Sequence, residues 1–253
     1  MAQVHFASGN DPEMQRAMEQ ARKTFRFFWR ELAWEQRRIV PALELSAIKV
    51  PFRDPPGPQE TGADVEEMWV GEVDFDGRTL TGLLLNSPHR LRTIQEGDRV
   101  EVPWNHISDW MYVIDGRVYG AYTVNLLRSR MPPEEREAHD EAWGFDFGDP
   151  GNIQVVPASH PPQPAEHPMA LNMGPSLRDY LKADPQRVAA RNEKGFTLLH
   201  DLSLAGTKSG VGIALEHGAD PNALTGHGMS PLQLANALGW EDVAAELKAR
   251  GAR

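Results

Sequence analysis

The chain has 253 residues, a formal net charge of −10, 40% hydrophobic and 25% charged side chains, an ordinary globular composition able to bury a core in one or two domains. It contains no cysteine, which excludes disulfides, thiolate nucleophiles and cysteine-held zinc or iron–sulfur centres. No basic stretch leads into an apolar one at the start, and the longest apolar runs, Leu83–Leu85 and Trp110–Ile114, are too short to span a bilayer. A cytoplasmic protein without a membrane partner is expected.

The first element is a helix. Asn10 or Asp11 can cap it, Pro12 suits the first helical position, and Met14, Ala17, Met18, Ala21, Phe25, Phe28 and Leu32 draw one apolar stripe in steps of three and four. The spacing predicts that it continues to about Arg38 and stops before Pro41. Ser46 to Val50 then reads as extended, and the proline-rich 51–58 as a loop. Met68 to Val73 and Arg78 to Leu85 flank Asp74-Phe75-Asp76-Gly77, a hairpin signature, and Arg99 to Val102 alternates charge with valine. A second hairpin is predicted from Trp110–Ile114 and Arg117–Leu127 around Asp115-Gly116. One long helix with antiparallel strands makes residues 1–130 an α+β domain.

Residues 131–175 carry one base against eight acids and are rich in proline and glycine, so they read as a connecting arm. Trp143, Phe145 and Phe147 make part of it pack, and Pro132 to Ala142 suits a short helix. From 176 to 253 the sequence repeats. Gly195-Phe196-Thr197-Leu198-Leu199-His200 aligns with Gly228-Met229-Ser230-Pro231-Leu232-Gln233 at an offset of 33. That period and the Thr/Ser-x-Leu-His/Gln helix start resemble ankyrin repeats, which implies an all-α segment. Ser176 to Arg191 reads as a degenerate preceding repeat.

Asp54 to Gly77 holds eight acids and no Lys or Arg. Such a field repels phosphate, so no direct contact with nucleic acid is expected, and it would attract a basic protein. Nothing assembles into a catalytic motif. His139-Asp140-Glu141 lacks the second histidine of a zinc-protease helix, and His160 and His167 lack rigid ligand spacing, so no metal is expected. His106-Ile107-Ser108-Asp109 has triad residue types too close in sequence for the relay, and Gly206-Thr207-Lys208-Ser209-Gly210 only echoes a phosphate loop. No cofactor is implied. An enzyme is the weakest reading, and it would need a pocket lined by His106, Asp109 and Glu66 or Glu67.

Several stretches resemble the YegJ-like bacterial family, a domain of unknown function: Glu66–Val70, Gly82–Pro88, Gly97–Val100, Ile107–Val113 and Gly120–Val124. The resemblance covers roughly residues 15–130, and the family's pattern has histidine where Glu67 stands. Glu166-His167-Pro168-Met169 followed by the repeats looks like a subgroup that couples this domain to ankyrins. Such proteins look like the immunity proteins found beside toxins in polymorphic and type VI secretion systems. The resemblance thus implies an inhibitor of a toxin, most simply a basic nuclease, with an adaptor or effector-loading chaperone as the alternative. The residues expected to face the partner are Glu66, Glu67, Asp74 and Asp76, the arm's Glu134 and Glu135, and Trp104 as an exposed anchor. Strand neighbours point to opposite sides, so at most one of Glu66 and Glu67 joins a strand-face patch.

Overall fold

The computed structural model describes residues 11–55, 65–158 and 166–253. Among them the chain is a mixed α/β protein with six strands in one antiparallel sheet and eight α-helices. Contacts divide it into two compact units: residues 1–28 with 38–155, and residues 29–37 with 156–253. The acidic stretch 131–155 therefore groups with the sheet. No helix among the described residues is long and apolar enough to cross a membrane.

Helix α1 (Pro12–Glu35), which belongs to the first unit as far as Phe28, precedes that unit's strands β1 (Leu45–Arg53), β2 (Val65–Phe75), β3 (Thr79–Leu84), β4 (Arg99–Pro103), β5 (Asp109–Ile114) and β6 (Arg117–Gly120). The sheet order is β4-β3-β2-β1-β5-β6, with β1 at the centre. Asp11 starts α1 by accepting from the Glu13 and Met14 amides, and the helix ends at Glu35, three residues before the expected Arg38. The register places Ile48 opposite Val70 and Trp110, and Val50 opposite Met68, on one buried face. The α1 stripe closes that face. Phe28 lies 6.0 Å from Trp110 and Phe25 meets Phe75 edge-on at 5.6 Å, while the Trp110 indole donates to the Ala21 carbonyl. Each such aromatic contributes roughly 2–3 kcal/mol by leaving water.

The opposite face buries Met111, Val113, Val118, Ala121, Val124 and Phe147, with Leu45, Trp69, Trp143 and Phe145 packed around them. Helices α2 (Tyr122–Arg130) and α3 (Pro133–Trp143) follow β6 on this side of the chain's path. The second hairpin turns through Asp115 and Gly116, both at positive φ as its tight turn demands. The expectation that its second strand runs to Leu127 is corrected. The strand ends at Gly120, because Gly120 (φ 81°) and Ala121 (φ 55°) turn the chain through the left-handed region and the amides beyond are captured to start α2. A Cβ at Gly120 would stand 2.5 Å from the Trp110 ring, so only glycine fits that turn.

The second unit is helical beyond residue 166: α4 (Pro168–Ala183), α5 (Leu198–Leu204), α6 (Lys208–Glu216), α7 (Pro231–Ala237) and α8 (Glu241–Ala249). The pair α7–α8 repeats α5–α6 at a displacement of 33 residues at all four boundaries. Local chemistry repeats with it. The Thr197 amide donates to His200 Nδ1, and the Ser230 amide to Gln233 Oε1, each closing a reciprocal capping box.

Candidate functional site

Four of the five segments that carry the family resemblance lie on β2, β3, β5 and the β6–α2 corner, and the sheet brings polar residues from three of them around Lys49 of β1. The register sets Lys49 directly opposite Trp69 on β2 and Asp109 on β5. Its ammonium sits 5.4 Å over the Trp69 ring and 3.3 Å from Thr123 Oγ1.

Asp109 is completely buried. Its Oδ1 accepts from the Trp110 and Tyr122 amides and its Oδ2 from the Thr123 amide (2.7 Å) and hydroxyl (2.6 Å). Helix α2 has no side-chain cap of its own, so Asp109 reaches across from β5 to satisfy its first amides. Burial pushes the Asp109 carboxyl up from its ordinary value, against Lys49 and the donors, which favour the charged form.

Glu67 accepts from Ser108 Oγ at 3.0 Å, and its other oxygen, Oε2, is buried without a hydrogen bond. Burial raises this carboxyl too; the Ser108 hydroxyl and Lys49 oppose the shift and Asp109 adds to it. Ser108 thus gives its hydrogen bond to Glu67, and His106 is exposed on a short 3-10 turn. Arg22 of α1 donates to the Ile107 carbonyl beside them. The cluster is an internal charge network with one lysine and two acids. It stitches β1, β2, β5 and α2 together, and it does not set a histidine behind a serine.

The expected partner-facing acids separate. Glu66 and Glu67 point to opposite sides of the sheet, and neither forms an exposed patch. Glu66 is 5% exposed and accepts from the His89 (2.8 Å) and Arg90 (3.1 Å) amides, fastening the loop after β3. Asp76 is half-buried and holds the Arg78 and Thr79 amides, and half-buried Asp74 accepts from the Phe75 amide, so both serve the hairpin. Asp54 likewise binds the Thr93 hydroxyl and the Arg92 and Thr93 amides. Glu60 and Asp64 lie outside the described residues. Trp104 is half-buried and stacks on Phe25 at 6.2 Å. Glu134 and Glu135 are exposed in the first turn of α3, where their charge suits the helix dipole. Trp69, on β2, is half-buried, whereas Trp110 is fully buried.

In the second unit His200 is buried, with Nε2 3.0 Å from the Ala223 carbonyl, and burial holds its pKa below the ordinary histidine value. The N-terminus of α6, at the sequence that echoes a phosphate loop, is filled by the Glu166 carboxylate, which accepts from the Ser209 amide and hydroxyl. Of the two histidines set aside as metal ligands, His167 caps α4 through the Met169 amide, and His160 lies outside the described residues. No group of three or more His, Asp or Glu among the described residues is placed to hold a metal ion.

Residues 11–147 match the model of a family described as "Uncharacterized protein conserved in bacteria (DUF2314)". Nearly the whole chain is similar to the "Putative ankyrin repeat protein NMB1133/NMB1171" of Neisseria meningitidis serogroup B (strain ATCC BAA-335 / MC58). The two are 41% identical over 249 residues, 98% of this chain and 97% of that one. A shorter likeness, 28% identical over 91 residues, covers 36% of this chain and 55% of the uncharacterized protein YegJ of Escherichia coli (strain K12).

Proposed function

The chain belongs to the DUF2314 family of bacterial proteins, and from that premise we propose that it is an immunity protein, which binds a cognate toxin and neutralises it. The toxin is a basic domain, most simply a nuclease delivered by type VI secretion. The observation that carries the protein-binding reading is the 33-residue recurrence of two capped helix pairs, which we read as ankyrin repeats. Repeats of this kind bury their faces against one another and leave their connecting loops as a rigid surface for another protein. The name of the Neisseria relative, which spans the same length, is in keeping with that reading.

The net charge of −10 supports a basic partner, since complementary charge speeds encounter and selects against wrong partners. The chemically conspicuous groups are engaged inside the fold, which favours recognition over turnover. Asp109 caps a helix, Ser108 serves Glu67, and His200 closes a turn.

Co-expression with the cognate toxin, which this reading expects to be encoded beside the chain, tests it; the absence of any such neighbour would count against it. The chain should restore growth and copurify with that protein. A complex that forms while the partner stays active would instead make the chain an adaptor or loading chaperone. Neither rescue nor complex would refute both.

A further inference from the structure

Helix α3 is an unusual element for a folded domain. None of its eleven residues is buried, yet it is fixed firmly in place. Buried Arg128 of α2 grips Asp140 with two hydrogen bonds of 2.8 and 2.6 Å, and also donates to Asn125 Oδ1 and to the Gly148 carbonyl. Trp143 at the end of α3 packs against the sheet-side core, and the rest of the helix, held this way, presents its outer surface in one orientation, which lowers the ordering cost of binding.

Beside it runs an open groove of about 590 Å³, lined by Arg136, Glu137, Glu141, Gly144, Phe145 and Asp146 among others. Glu137 and Glu141 stand one helical turn apart on the same face and are exposed, as is Asp146. Phe145 is half-buried, with part of its ring belonging to the sheet-side core and part left to the groove. Arg136 Nε is buried in the groove wall and has no hydrogen-bond partner among the described residues.

We propose that this groove docks an extended basic segment of a protein partner, its Lys or Arg side chains meeting Glu137, Glu141 and Asp146 and an aliphatic side chain resting on Phe145. Charge complementarity selects this occupant: the exposed carboxylates Glu137, Glu141 and Asp146 surround an apolar floor at Phe145. A purely apolar segment would strand the carboxylates, and an acidic one would be repelled.

The inference rests on the preceding reading only in taking a protein as partner, and a synthetic probe keeps the two separable. The probe is a ten-residue peptide carrying four lysines around one leucine, titrated into the isotopically labelled full chain at low salt. Amide shifts should concentrate in residues 133–146. Glu137→Lys with Glu141→Lys should weaken binding about tenfold or more. Glu19→Lys with Glu101→Lys changes the net charge equally at exposed sites elsewhere and should alter it less than about twofold. Replacing the peptide's leucine by serine should also weaken it. Equal losses for the two double variants, or shifts scattered over the surface, would overturn the groove and leave only general charge attraction. Growth rescue by the toxin's neighbour is unaffected by that result.

Discussion

Arg128 and Asp140 meet end to end, guanidinium to carboxylate, with the arginine almost fully buried and the aspartate a quarter exposed. The same guanidinium lies 5.1 Å from the Phe147 ring centre. One side chain therefore ties α2, α3 and the 146–149 turn together. Arg128→Met should cost about 3 kcal/mol, because it leaves Asp140, Asn125 and the Gly148 carbonyl without their donor. Urea unfolding followed by tryptophan fluorescence measures it. A midpoint within error of wild type would mean that α3 is held by other contacts.

Asp109 gives a graded test of the cap on α2. Asp109→Ala strands the Tyr122 and Thr123 amides and the Thr123 hydroxyl in the interior, at a cost of about 3 kcal/mol. Asp109→Asn keeps one acceptor oxygen and should cost about half as much. Equal losses for the two would show that packing, not amide capture, is what the position supplies.

Glu67 predicts a pH dependence. Its folded pKa is raised above the ordinary glutamate value of 4.5, while the unfolded chain titrates near that value. The folded state therefore binds the proton more tightly, and this contribution to stability is present below the ordinary value and lost as pH rises through the folded one. Glu67→Gln is neutral throughout, so its stability relative to wild type should improve between pH 4 and pH 8. Urea midpoints at intervals across that range measure the difference. A constant difference would mean that Glu67 ionises as freely in the fold as in water.

The repeat in the second unit was legible because its helix starts rest on local chemistry. Thr197 with His200 and Ser230 with Gln233 satisfy each other's amides within one turn, so the signal lies in adjacent residues. Most of the strands were legible for a similar reason, through alternation and the Asp115-Gly116 turn. Helix α2 was hidden because its cap is Asp109, thirteen residues upstream of Tyr122 on another strand, while β-branched Thr123 and Val124 read as strand. The acidic stretch 54–76 misled for a physical reason as well. A carboxylate that holds backbone amides, as Asp54, Glu66 and Asp76 do, looks in sequence like one that faces solvent. Arg136, Glu141 and Asp146 of the groove carried no distinguishing signal, because α3 is placed by contacts distant in sequence, Arg128 with Asp140 and Trp143 with Trp69.

Gly206 tests the contact inside the repeats. It sits at φ 70° and a Cβ there would stand 2.5 Å from the Trp240 ring, whose indole donates to the Leu204 carbonyl at 3.0 Å. Gly206→Ala should cost roughly 2 kcal/mol or more from the strained backbone and the displaced ring. Far-ultraviolet circular dichroism during urea unfolding should show helix lost earlier than in wild type. Unchanged unfolding would mean that the loop relaxes without disturbing Trp240.

The most direct measurement of the central claim is the activity of the proposed cognate toxin, purified and titrated with the purified chain. Neutralisation by binding predicts that activity falls linearly and vanishes near one chain per partner. It also predicts slower onset of inhibition at high salt, where charges are screened over about 3 Å rather than about 8 Å. Activity that persists at saturating chain would contradict the account.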